Sequence, residues 1–162
     1  MRVAACIEVG APAELVWTQV ADPGRYLHFM SGVTRWEQAG DQRTGMGARY
    51  RMLMRVGSAE IGGLIELIEF VEPSDIAWVS ITGVDQRGRW RLRSVSETRT
   101  SVELRLAYGV AGSGPLGFIA ERLAAPTIRG HLRRSLQQLK RQVEHEQLRA
   151  AAAARRQARG AA

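Results

Sequence analysis

Toward the C-terminus, Ile119, Leu123, Ile128, Leu132, Leu136, Leu139 and Val143 recur at spacings of three to five, a single apolar stripe along one helix. Arg122, Arg129, Arg133, Arg134, Lys140 and Arg141 fall mostly elsewhere around it. Opened by Gly112-Ser113-Gly114-Pro115, the pattern predicts a helix of about 30 residues, or roughly 45 Å. A helix of that kind is held by burying its apolar face, so the rest of the chain must supply a surface long enough to cover the stripe. Pro126 sits inside the pattern. It removes one backbone hydrogen bond and is expected to kink or break the helix after Ala125.

The covering surface is legible upstream. Val3, Ala5, Ile7 and Val9 alternate with Arg2, Ala4, Cys6 and Glu8, the period of a half-buried strand over about 2–9. Ala11-Pro12-Ala13-Glu14 opens a short amphipathic helix around Trp17, with proline in the first turn and Glu14 near the positive end of the helix dipole. Asp22-Pro23-Gly24 stops it, and Arg25–Met30 gives a second short helix. From Val33 to Val110 the period is two. The expected strands are Val33–Ala39, Ala48–Val56, Ile61–Phe70, Ile76–Thr82, Arg87–Val95 and Val102–Val110, with a polar turn at Gly40–Gly47 and a bulge or bend near Gly62-Gly63. Consecutive strands joined by short turns imply an antiparallel meander. The fold class is therefore α+β: a curved antiparallel sheet of about six or seven strands gripping a long C-terminal helix, with two short helices after strand one.

Charge and cysteine usage narrow the functions open to such a chain. The net charge is +7. Through residue 113, thirteen arginines are balanced by thirteen acids, whereas 114–162 carries ten basic residues and three acids, so the excess is C-terminal. Residues 146–162, ending in RAAAAARRQARGAA, read as a basic, low-complexity tail outside a domain spanning 1–145. Three readings fit the tail: a solvated helical extension, a weak electrostatic contact with an anionic membrane or nucleic acid, or an oligomer contact. Cys6 is the only cysteine, which excludes an internal disulfide and a multi-thiolate metal site. The N-terminal residues lack a signal-peptide apolar stretch and the apolar runs are too short to span a bilayer, so a cytoplasmic setting is expected. His131 and His145 are 14 residues apart on one helix, about 21 Å along its axis, too far to share a metal. No metal or cofactor is expected.

Ala11-Pro12-Ala13-Glu14-Leu15-Val16-Trp17, Asp22-Pro23-Gly24-Arg25-Tyr26, Gly88-Arg89-Trp90-Arg91-Leu92 and the closing helix from Ile128 to Val143 together resemble the START-like helix-grip proteins of the polyketide cyclase/dehydrase type, over about 1–145. That resemblance implies a hydrophobic cavity between concave sheet and long helix, used to bind or transport a lipid, isoprenoid or polyketide. The alternative it implies is a polyketide cyclase or dehydratase acting in the same cavity. In the aromatase/cyclases of this fold, a tyrosine after the second short helix and a serine-x-arginine pair on a mid-sheet strand are thought to act on the polyketide. The corresponding stretches here, Ser31-Gly32-Val33 and Leu64–Ile68, carry neither.

The cavity selects an inward set: Tyr50, Met52, Met54, Ile65, Leu67, Trp78, Ser80, Trp90, Leu92, Leu104, Leu106, Tyr108 and, from the helix, Ile119 and Leu123. Apolar walls with a few polar tips suit a small hydrophobic molecule, the walls supplying affinity and Tyr50, Ser80 and Tyr108 orientation. For the enzyme alternative, Tyr50, Tyr108 or His28 is the candidate proton donor. Residues 88–93, GRWRLR, split between faces, with Trp90 and Leu92 inward and Arg89, Arg91 and Arg93 in solvent beside acids such as Glu103. Glu66 and Glu69 read as outward salt-bridge partners. A nucleic-acid stripe would need exposed aromatics among the arginines, and here the aromatic lies on the opposite face, which argues against nucleic acid as a partner.

Overall fold

A computed structural model of the chain describes residues 1–109 and 114–160, with side chains of 114–121 and 160 left aside. Strand β1 (Arg2–Val9) leads into α1 (Ala13–Val20), a 3₁₀ turn at Pro23–Arg25 and α2 (Tyr26–Phe29). Strands β2 (Val33–Gln38), β3 (Arg49–Val56), β4 (Ala59–Val71), β5 (Asp75–Ser80), β6 (Asp85–Ser96) and β7 (Arg99–Gly109) follow, and α3 (Gly114–Gly160) closes the chain. The expected last strand residue, Val110, and the expected helix opening at Gly112-Ser113 lie outside the described residues.

The seven strands form one antiparallel sheet in the order β1-β7-β6-β5-β4-β3-β2. The meander is therefore complete from β2 to β7, and β1 adds to the far side through pairs such as Val3↔Leu106 and Ile7↔Val102. A bulge between Leu67 and Glu69 on β4 leaves Ile68 without a partner residue on β5, and Ile68 is exposed. The strand thereby shifts phase, so that Leu67 and Phe70 share the inner face while Glu69 turns out. Phe70 meets Trp17 of α1 edge to face at 5.1 Å.

The sheet curls around α3, whose Ile128, Leu132, Leu136, Leu139 and Val143 are buried against it, chiefly against β1 and β7. The helix continues through Pro126 to Gly160, 47 residues in all, so of the kink or break expected after Ala125 the break does not occur. Ala125 and Ile128, on either side of the proline, are both packed into the core, and that burial outweighs the single hydrogen bond lost. The tail residues are helical as well. Glu146 is the last residue of α3 with a described contact to the body: its carboxylate accepts from Gln19 at 2.7 Å and pairs with Arg25 at 3.7 Å.

Candidate functional site: the concave face of the sheet

Alternation places the inward set together, as elementary strand geometry requires. Tyr50, Met52 and Met54 of β3, Ile65 and Leu67 of β4, Trp78 of β5, Trp90 and Leu92 of β6, and Leu104, Leu106 and Tyr108 of β7 are all buried in one continuous core. Ser80 is half-buried at the end of β5. Its hydroxyl accepts from the Gln86 backbone N–H at 3.0 Å, tying the β5 and β6 ends together. Ile119 belongs to the stretch of α3 whose side chains lie outside the described residues.

Leu123 departs from the expectation: it is 75% exposed. Five residues separate it from Ile128, a rotation of about 140° around the helix axis at 3.6 residues per turn. The buried stripe continues instead through Ala125, three residues before Ile128. Leu123 is therefore not part of the walls of the site.

Aromatic rings close the end beneath α2. Trp36 is stacked on Tyr50 at 5.5 Å and tilted against Tyr26 at 4.5 Å, and Phe29 meets Trp90 at 6.1 Å. The Tyr26 hydroxyl donates to the Val20 carbonyl at 2.5 Å, and the Tyr50 hydroxyl donates to the Arg43 carbonyl. Burial drives the Tyr26 hydroxyl well above the ordinary tyrosine range, with Tyr50 adding to it. Tyr50 is pushed up to about 12, first by burial and then by the Asp22 carboxylate, with Arg43 opposing. Both phenols are neutral donors at physiological pH and poor bases.

Between sheet and α3, Met52, Met54, Ile61, Gly62, Val84, Gln86, Leu106, Tyr108 and Ile128 line a void of about 20 Å³. It shares Ile61, Gly62 and Val84 with an outer recess of about 380 Å³ formed by the β3–β4 hairpin and the β5–β6 turn. At Gly62, common to both, a Cβ would stand 2.0 Å from the Met52 carbonyl oxygen, and at the adjoining Gly63 one would stand 1.9 Å from the Thr82 carbonyl oxygen, approaches that only glycine permits. Deeper in, Trp78 lies flat over Gly88, where a Cβ would stand 1.9 Å from the indole ring. A separate cleft of about 520 Å³ opens between the 3₁₀ turn and the β2–β3 loop, reaching Trp36, Tyr50, Asp22 and Arg43.

Three buried side-chain donors on this interior have no partner among the described residues: the indole nitrogens of Trp36 and Trp78, and Nε2 of Gln86; the Trp90 indole N–H faces the Tyr26 hydroxyl. Gln86 was not among the residues that the sequence singles out. Its position just before Arg87 in a polar run hides that it shares the inner face with Gly88 and Trp90.

The convex face answers for the arginines. Arg89, Arg91 and Arg93 are outward, as alternation requires, but their acid is Asp75 of β5 rather than Glu103. Glu103 pairs with Arg105 at 2.8 Å. Asp75 stands opposite Arg91 across the β5–β6 pairing, and its carboxylate reaches both neighbouring positions two residues away on β6. Glu66 pairs with Arg49 at 2.7 Å and Glu69 with Arg89 at 2.5 Å, both outward as expected. His28 is exposed on α2, and Ser31, its neighbour in sequence, meets a different histidine. The Ser31 hydroxyl lies 3.2 Å from His131 Nδ1 on α3, and Arg134 reaches both groups. No group of three or more potential metal ligands occurs among the described residues.

A family model described as polyketide cyclase/dehydrase and lipid transport matches residues 1–144, the whole of the grip from β1 to the last turns that α3 packs against the body. The chain belongs to that family. Among solved structures, this cyclase/dehydrase-family chain is similar to a protein from Thermus thermophilus, with TM-score 0.76 and 20% identity, covering 90% of this chain and 99% of that one. It is also similar to the Zhui aromatase/cyclase from Streptomyces sp. R1128, with TM-score 0.74, 20% identity and coverage of 89% and 93%. A START superfamily protein from Mycobacterium smegmatis gives TM-score 0.64, 19% identity and coverage of 89% and 97%. At these identities the likeness is one of fold. No curated protein matches the chain in sequence.

Proposed function

We propose that this chain binds a small hydrophobic molecule, a lipid, isoprenoid or polyketide, in the interior between the sheet and α3. The observation that carries the proposal is the single apolar inner face running across β3 to β7 and closed by α3, with hydroxyls and amides only at isolated points. A void of about 20 Å³ holds one water and no more. Binding therefore proceeds by displacement of side chains. Met52 and Met54 border the void, and unbranched methionine side chains are the ones that move at least cost.

Cyclisation or dehydration in the same interior is the competing activity. The fully buried inner positions of β4 are Ile65 and Leu67, while its two neighbouring carboxylates, Glu66 and Glu69, are outward in ion pairs. The Tyr26 and Tyr50 hydroxyls already donate to the Val20 and Arg43 carbonyls, and burial makes both weaker acids than an ordinary tyrosine. These features favour holding a molecule over moving its protons. The unit that binds is residues 1–145, and the basic tail of 146–162 is accessory, available for a weak contact with an anionic membrane surface. No described helix is long and apolar enough to cross a membrane; the setting proposed for the carrier is the cytoplasm.

The deciding experiment is native mass spectrometry of the purified protein, followed by solvent extraction and identification of what is released. A stoichiometric apolar adduct, or saturable one-to-one binding of a fluorescent fatty acid or of methyl naphthyl ketone, is the expected result. The absence of an adduct together with no saturable binding of either probe overturns the proposal.

A further inference from the structure

We propose that Gln86 is the residue that reads the ligand's polar group, and that the molecule bound inside carries a carbonyl oxygen. The inference rests on the interior being a binding site, as proposed above, and adds what kind of molecule it selects. Gln86 is 5% exposed, and its Nε2 has no hydrogen-bond partner among the described residues. An unpaired buried amide N–H destabilises the fold by the full loss of its hydration, so most buried amides are paired. This one borders the interior void, together with Met52, Met54, Tyr108 and Ile128. Its backbone is fixed, the N–H donating to Ser80 Oγ at 3.0 Å, so the side chain is not left unpaired by a loose strand.

A carboxamide presents its N–H₂ end as a donor, so the unpaired amide at the void calls for an acceptor on the guest. A purely aliphatic chain offers none. A ketone or ester carbonyl set in an apolar body fits both the walls and the donor.

The test compares methyl naphthyl ketone with isopropenylnaphthalene, which replaces C=O by C=CH₂ at nearly the same shape. Dissociation constants are measured on the full chain and on Gln86→Leu, with Gln86→Met as the second variant should the first not fold. The wild-type protein is expected to favour the ketone by about five- to tenfold, the size of one neutral hydrogen bond. Both variants lose the preference while still binding the hydrocarbon. They also melt about 3 °C higher, because the unpaired donor is gone. Equal binding of ketone and hydrocarbon by wild type, the result expected if the void serves one buried water only, overturns the assignment and leaves the hydrophobic site standing. A ketone preference retained in both variants overturns it as well. Failure of both probes to bind wild type overturns the interior site and this inference together.

Discussion

Asp75 on β5 accepts a hydrogen bond from Arg91 Nε on β6 at 3.1 Å, across one antiparallel pair. The same carboxylate takes Arg89 at 3.1 Å and Arg93 at 2.9 Å, so one acid holds three consecutive outward positions of β6. Its side chain is 8% exposed, against 31%, 35% and 51% for the three arginines, which makes the acid the buried partner of a mostly wet cluster. Burial alone would raise the carboxyl's pKa. The hydrogen bonds from Arg93, Arg91, Ser74 and Arg89 outweigh it and hold the group well below the usual carboxylate range.

Asp75→Asn should therefore destabilise the protein by about 2 kcal/mol at neutral pH, less than a fully buried pair would lose because the arginines keep part of their hydration. With the native pKa below the unfolded one, Asp75 contributes in full above about pH 4 and its contribution drains as the pH falls toward the native value. Urea unfolding of both proteins checks this: their midpoints should differ at pH 7 and draw together in acid. A constant gap down to about pH 2.5, well below the unfolded carboxyl's range, would contradict it.

His131 is held below the ordinary histidine range, first by burial and then by the Arg134 guanidinium, with the Arg55 backbone acting the other way. Its folded pKa lies below the unfolded one, so its part in stability is complete above about pH 6.5 and is lost as pH falls through the interval beneath that value. The expected observation is a fall in melting temperature of wild type between about pH 7.5 and 5.5 that His131→Asn does not share. Parallel profiles would assign the fall to other groups.

Gly88 and Gly63 should respond differently to one added methyl. Gly88→Ala places its Cβ in the Trp78 ring, a side chain that can be shortened, so Gly88→Ala should destabilise by about 1–3 kcal/mol and Gly88→Ala with Trp78→Leu should recover part of the loss. Gly63→Ala meets the Thr82 carbonyl, which belongs to the neighbouring backbone, and no side-chain substitution should rescue it. Denaturant midpoints of the singles and the double decide the matter, and additivity of Gly88→Ala and Trp78→Leu would refute the contact.

Removal of residues 149–162 should leave the domain folded with its melting temperature within about 2 °C of wild type, because surface residues without core contacts contribute little. Residues 153–159 are exposed, and the last described contact of α3 with the body is at Glu146. Differential scanning fluorimetry is sufficient. A drop several times larger would show that the tail is part of the folded unit.

The faces of β3 and β6 were readable because a strand's period is two: once Trp90 is inward, Arg89 and Arg91 are outward whatever the rest of the chain does. The apolar stripe of α3 was readable for the same local reason, except at Leu123, where a spacing of five leaves the stripe. That α3 runs on through Pro126 without a break was not readable, because the proline's cost is local while the packing of Ala125 and Ile128 that offsets it comes from distant strands. The phase shift after Leu67 was also out of reach, since a bulge is a property of a strand pair and not of one strand.

The sequence by itself determined the order of elements, the curved meander around one helix, and which side of each strand meets the core, since all of these follow from side-chain periodicity along a single segment. Only the tertiary structure decided which groups converge. Asp75 gathers Arg89, Arg91 and Arg93 through the register of β5 on β6, and Ser31 meets His131 from 100 residues away. Gln86 is left unpaired inside by the way methionine, tyrosine and isoleucine side chains from three strands and α3 fill the space around it. Register and packed volume depend on pairs of segments at once, so no single stretch of sequence carries them.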